Sequence, residues 1–244
     1  MEWLKRMFRQ REEEIGCAAV VPAAGSSHRM GGENKLLLSI DDMPVIIRTV
    51  QALEAAQTVR EIVLATRECD LIPISELIKA YGFTKPIKLV IGGEERLRSV
   101  WNACLEVDPA FNLIAVHDGD RPLITPELFD RVVRRAVQCH AVVPAVPVKD
   151  TIKQGENGRV IATLPRSTLW AVQTPQVFDA ALLKAALKAA IDGGIPVSDD
   201  ASCVELLGKQ VYMEEGDEEN LKITTTIDLQ VARAILERRD EHGL

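Results

Sequence analysis

The sequence predicts an α/β fold: a mostly parallel sheet covered by helices on both faces, with a β-hairpin projecting from it. Three observations lead there. Short runs rich in Val, Ile and Ala alternate with longer stretches of helical period. Those runs are apolar at nearly every position, which a strand requires only when both of its faces are buried. The alternation breaks once, from Lys149 to Ala162, where two segments of alternating character flank Gly155-Glu-Asn-Gly158 and read as a hairpin.

Residues 1–16 read as a charged N-terminal extension, a short helix whose Trp3, Leu4, Met7 and Phe8 either pack on a partner or belong to a frayed tail. It contains no apolar signal region. Strands are predicted at 17–21, 61–65, 87–91, 113–117 and 141–146, and helices at 44–56, 70–82, 96–107 and 125–139. Thr125-Pro126-Glu127-Leu128 gives the last of these helices an N-cap and a proline in its first turn. The hairpin occupies 149–163. Beyond it, Trp170 falls in a short apolar strand, Ser198-Asp-Asp-Ala-Ser-Cys-Val-Glu205 opens a helix with Ser198 as N-cap, and Lys222 falls in a strand between apolar neighbours.

With 244 residues, 47% of them hydrophobic, the chain can bury one large core, or a core with an appendage. A net charge of −7 argues against a surface that coats nucleic acid, so an anionic ligand must be drawn by a local basic cluster. Nothing approaches the ~18 consecutive apolar residues that a membrane span needs. The five cysteines are odd in number and widely spaced, the pattern of reduced thiols in a cytoplasmic protein. The four histidines are scattered, so neither a nucleophile–histidine pair nor a metal cage can be assembled from them.

The segment from Val20 to Lys35 carries the strongest chemical signal. Its first strand ends in Pro22-Ala23-Ala24-Gly25, small residues whose amides can close on a phosphate chain, and the cations Arg29 and Lys35 follow. The alternative is an ordinary strand-to-helix turn with surface charges. Two familiar signatures are missing: Met30 stands where a P-loop needs its second glycine, and Ser27 and Met30 stand where a dinucleotide fingerprint needs its later ones.

Other strand ends add to this edge, where parallel sheets place their ligands. Gly92-Gly93 lets a flat base approach backbone amides, with Ser99 in reach of its edge, or is a tight turn before a capped helix. Val116-His-Asp-Gly-Asp-Arg-Pro122 puts Asp118, Gly119 and Asp120 at a strand exit, where Asp118 can hold a sugar hydroxyl or a metal-bound water.

Together these segments resemble the 2-C-methyl-D-erythritol 4-phosphate cytidylyltransferases of non-mevalonate isoprenoid biosynthesis, from Cys17 to Glu237. The motifs His-Asp-x-x-Arg-Pro, Trp-x-x-x-Thr-Pro-Gln, Ser-Asp-Asp-Ala-Ser and Asn-Leu-Lys-Ile-Thr, in this order, carry the likeness. The resemblance implies a Rossmann-like nucleotidyltransferase domain over 17–244. Pro22, Ala23, Ala24, Gly25 and Gly119 would line the nucleotide loop, and Arg29 and Lys35 would stabilise the reacting α-phosphate. Gly92, Gly93 and Ser99 would recognise cytosine. Asp118, Thr151, Thr174 and Ser198 would lie near the sugars or their phosphates, and Arg166 and Lys222 would position the incoming methylerythritol phosphate. The resemblance also implies CTP as donor, Mg2+ held mainly through its phosphates, and a homodimer in which the 149–163 arm clasps a second subunit.

This chain departs from the family pattern at Ser27, Asn34, Leu36 and Glu219, and at Asp120, which stands where a small apolar residue is usual. A cytidylyltransferase for ribitol 5-phosphate, a nicotinamide-dependent oxidoreductase and a silent nucleotide-binding regulator are the competing readings.

Overall fold

The computed structural model describes residues 15–25 and 34–242. The N-terminal extension up to Glu14, Ser27 and the candidate Arg29 lie outside the described residues. The first half contains β1 (Cys17–Ala23), β2 (Ser39–Ile40), β3 (Met43–Pro44), α1 (Val45–Ala55), β4 (Val59–Thr66), α2 (Leu71–Tyr81), β5 (Ile87–Ile91), α3 (Arg96–Glu106) and β6 (Leu113–Val116). Then come α4 (Pro126–Cys139), β7 (Ala141–Pro147), β8 (Lys153–Glu156), β9 (Arg159–Thr163), β10 (Trp170–Val172) and β11 (Gln176–Asp179). The chain closes with α5 (Ala180–Gly193), α6 (Asp200–Leu206), β12 (Tyr212–Glu215) and α7 (Thr226–His242).

The main sheet runs β10-β7-β11-β6-β1-β4-β5, with β12 added beside β7. Strands β1, β4, β5 and β6 pair in parallel, as do β7 and β12, while β10 and β11 run against their neighbours. Apolar continuity in β1 has a direct cause. Successive side chains point to opposite faces, and both faces are covered. Cys17, Ala19, Val21 and Ala23 enter one core with α1 and α4, whose Ile46, Ile47, Val50, Phe129 and Val132 are buried there. Ala18 and Val20 enter the other, against Val100 and Cys104 of α3 and Leu183 and Leu187 of α5.

The predicted elements match within one or two residues at their ends. Thr125 caps α4 as expected, its hydroxyl accepting from the Leu128 N–H at 3.3 Å. The hairpin forms a two-stranded sheet of its own, β8 with β9, closed by Asn157 and Gly158 at φ of 49° and 75°. Positive φ at both turn residues matches the right-handed twist of the strands, which is why Asn-Gly is favoured there.

Two expectations need correction. Ser198 is not the cap of α6. Asp199 is, its extended backbone letting the carboxylate accept from the Ser202 N–H at 2.9 Å, while the Ser198 hydroxyl is engaged with Ser202 Oγ. Lys222 is not in a strand. Residues 220–224 have no regular structure and do not join the sheet; they bond to the turn after β6, Ile223 N–H donating to the Asp120 carbonyl at 2.8 Å.

Candidate active site

Because β1, β4, β5 and β6 are parallel, their C-terminal ends share one edge of the sheet, and the loops leaving them converge. Thr174 joins them from the start of the opposed strand β11. Gly92 shows how closely they meet. A Cβ there would lie 2.5 Å from Ala24 Cβ and 2.8 Å from Ser99 Oγ, so only glycine allows the loop after β5 to touch the small-residue loop after β1. Ser99 is buried, and its Oγ accepts from the Gly93 N–H at 3.1 Å, bracing this turn.

The most concentrated chemistry is a chain of alternating charges. Lys222 Nζ donates to Asp118 Oδ2 at 2.7 Å, and Arg96 Nε donates to Asp118 Oδ1 at 3.0 Å. Arg96 also reaches Asp200 at 2.8 Å, so one guanidinium ties the turn after β6 to the start of α6. Lys35 Nζ donates to Asp120 Oδ2 at 2.5 Å and to the Ile223 carbonyl at 2.8 Å. Burial alone would push Asp118 up, but the positive charges of Arg96 and Lys222 outweigh it and hold this carboxyl well below the usual range. Burial likewise disfavours the Arg96 cation, yet Asp200 and Asp118 raise its pKa above the ordinary guanidinium value. Asp118 and Arg96 are thus held in their ionised forms by neighbours brought in from distant parts of the chain.

Behind this layer, His117 is fully buried between a hydroxyl and a carbonyl. The Thr174 hydroxyl accepts from the Asp118 N–H at 3.1 Å and meets His117 Nδ1 at 3.1 Å, while His117 Nε2 meets the Arg121 carbonyl at 3.2 Å. A threonine has one hydroxyl proton, so it goes to Nδ1, and Nε2–H goes to the carbonyl. Burial lowers the pKa of His117 from 6.5 to about 4. A neutral ring with both nitrogens committed is a brace for Asp118, not a proton shuttle.

The structure therefore brings together Pro22 to Gly25, Lys35, Gly92, Gly93, Ser99, Asp118, Gly119, Thr174 and Lys222. It does not bring three others into the cluster. Arg166 and Thr151 are exposed beside the hairpin, Arg166 donating to the Lys149 carbonyl at 2.7 Å. Ser198 is exposed and bonds Ser202 Oγ at 3.0 Å. Arg96 and Asp200 were missed as site residues. Each looked like part of a helix start, and only the doubled acid in Ser198-Asp-Asp-Ala hinted that one carboxylate caps while the next turns inward.

Comparison with known proteins agrees with this fold. Residues 17–238 match the family model described as 2-C-methyl-D-erythritol 4-phosphate cytidylyltransferase. A protein of that name from Bacillus pumilus is 44% identical over 220 residues, covering 89% of this chain and 96% of the relative. One from Synechocystis is 41% identical over 222 residues, covering 90% and 96%. Among solved structures, the 4-diphosphocytidyl-2C-methyl-D-erythritol synthase of Anaerococcus prevotii superposes with a TM-score of 0.82 at 28% identity, covering 91% of this chain and 98% of that one. The Thermus thermophilus 2-C-methyl-D-erythritol 4-phosphate cytidylyltransferase gives 0.74 at 29% identity, covering 91% and 99%. With the family model matching residues 17–238 and relatives above 40% identity covered almost end to end, this protein belongs to the 2-C-methyl-D-erythritol 4-phosphate cytidylyltransferase family of nucleotidyltransferases.

Proposed function

We propose that the chain transfers CMP from CTP to 2-C-methyl-D-erythritol 4-phosphate, giving 4-diphosphocytidyl-2-C-methyl-D-erythritol and pyrophosphate. The observation that carries this reading is the convergence of Lys35 and Lys222, from opposite ends of the chain, on the adjacent carboxylates Asp120 and Asp118. Cations placed that way suit a reaction between two phosphorylated partners that repel each other.

A phosphate oxygen of the acceptor attacks the α-phosphorus, the bond from that phosphorus to the β-bridging oxygen breaks, and its electron pair leaves with pyrophosphate. A phosphate monoester has its second pKa near ~6, so the nucleophile needs no general base. That fits a site whose histidine is neutral and fully bonded. It also fits buried thiols: burial pushes Cys17 and Cys203 up to about 12, far from thiolate chemistry. Positioned positive charge is what remains for catalysis. Arg29 and Lys35 neutralise the α-phosphate, while Lys222 and Arg166 hold the acceptor phosphate. Pro22 to Gly25 and Gly119 cradle the triphosphate, Gly92, Gly93 and Ser99 receive cytosine, and Asp118, Thr151 and Thr174 set the sugars.

The donor set suits a magnesium ion that arrives on the triphosphate. Among the described residues no three His, Cys, Asp or Glu side chains group to cage a metal, and both oxygens of Asp118 already face cations. When bound, magnesium screens phosphate charge.

The exposed hairpin supports a homodimer. Val160 and Ile161 are 65% and 55% exposed on β9, and Trp170 and Val172 are exposed on β10, an apolar surface suited to a second copy. Arg166 and Thr151 would then complete the partner's site. No helix among the described residues is long and apolar enough to cross a membrane.

CTP-dependent pyrophosphate release, measured with methylerythritol phosphate and with ribitol 5-phosphate, tests the reading. Preference for the first is expected. Equal or better use of the second would transfer the assignment to the ribitol enzyme.

A further inference from the structure

Asp120 puts a negative charge beside a site built for polyanions, and it is 7% exposed. Its surroundings explain what it does there. Oδ2 accepts from Lys35 Nζ at 2.5 Å. Oδ1 faces Lys222 Nζ at 3.9 Å and has no hydrogen-bond partner. Its main-chain carbonyl accepts from the Ile223 N–H at 2.8 Å, and the Ile223 carbonyl in turn accepts from Lys35 Nζ at 2.8 Å. Lys35, Asp120 and Ile223 thus form a closed ring of three hydrogen bonds, next to Lys222 in the chain. Charged neighbours among the described residues include Arg121, which donates to the Asn220 carbonyl at 2.6 Å, and Asp118, already engaged by Arg96 and Lys222.

Given the cytidylyl transfer proposed above, we propose that Asp120 is a positioning residue: it fixes the Lys35 ammonium, and with it the spacing between the two lysines, before either substrate binds. A lysine head on a four-carbon stem samples many rotamers, and it has three N–H directions set at tetrahedral angles. Tying two of them, to Asp120 and to the Ile223 carbonyl, determines the third. The same carboxylate lies between two ammonium groups that would otherwise repel each other. The arrangement has a cost in binding, because the incoming triphosphate meets a fixed negative charge. Orientation and ground-state affinity are therefore set against each other at one side chain, which makes the two separable by experiment.

Two substitutions separate them. Asp120→Ala removes the acceptor and the charge; Asp120→Asn keeps one acceptor oxygen and the shape, removes the charge and turns the other oxygen into an N–H donor. Asp120→Ala is expected to lower kcat about tenfold or more, within the ~10²-fold that a ~1 Å misplacement can cost. Asp120→Asn is expected to keep kcat within about threefold while KM for CTP falls about threefold or more. Thermal melting of both variants confirms folding, and calorimetric titration with CTP and magnesium, in the absence of acceptor, should show tighter binding to Asp120→Asn than to the parent. A kcat for Asp120→Ala within about twofold of the parent overturns the proposal, as does an equal kcat loss in both variants. If the parent releases no pyrophosphate with any acceptor, the proposed reaction fails instead. The titration then decides alone: equal CTP affinity in all three proteins counts against Asp120.

Discussion

Along the C-terminal edge of the sheet, Lys35, Lys222 and Arg96 are each held by carboxylates from distant segments, whereas Arg166 and Thr151, beside the hairpin, face solvent. The first group meets carboxylates buried at that edge, where an unpaired charge is costly and pairing is enforced. The second flanks a two-stranded ribbon that has no core of its own. A two-stranded ribbon is marginal in water, so its order must come from whatever it packs against. Half of the proposed site is thus preorganised within one chain, and the proposed dimer would complete the other half.

Three experiments break or sharpen that contrast. Lys35→Ala or Lys222→Ala should lower turnover by at least ~10²-fold, the loss seen when one preorganised charge-stabilising donor is removed. Arg166→Ala should also lose activity, yet mixing it with Lys35→Ala should recover part of it, because a mixed dimer keeps one site with both residues intact. Near-normal turnover in the lysine variants, or no recovery on mixing, would overturn the assigned roles.

Stability should divide along the same line. Arg96→Ala leaves Asp118 and the fully buried Asp200 with one cation fewer, and should cost about 3 kcal/mol in urea unfolding. Arg166→Ala should change stability by no more than about 0.5 kcal/mol, since its one described hydrogen bond is at the surface. Equal losses in the two variants would mean that the arm is as integral to the fold as the edge.

The smallest effect concerns acid. His117 titrates near 4 when folded and 6.5 when free, so between those values the unfolded chain binds a proton that the folded one refuses. Its contribution to stability is complete above about pH 6.5 and is lost as pH falls toward 4, by up to about 3 kcal/mol. His117→Asn should flatten that part of the stability–pH curve while leaving the arm unaffected. An unchanged slope would place the acid sensitivity elsewhere.

Much of this was legible in the residues. The two-faced strands announce themselves because burial on both sides leaves no polar position in 17–21 or 113–116. Asn157-Gly158 announces its turn because few residues tolerate positive φ. Lys222 was harder. Its apolar neighbours suggest a strand, but Asn220 and Ile223 spend their hydrogen bonds on Thr174 and on the turn after β6, a choice that depends on what lies opposite.

Local chemistry thus fixed the elements, the family motifs and the set of small and charged residues at the strand ends, since period, turn propensity and residue type are carried by a few neighbouring positions. Pairing was settled only by the folded chain. Which carboxylate meets which cation, that Arg96 spans Asp118 and Asp200, and that Asp120 holds Lys35 all depend on segments brought together from far along the sequence. Electrostatic energy depends on distance in space, and distance in space is what a linear order of residues does not contain.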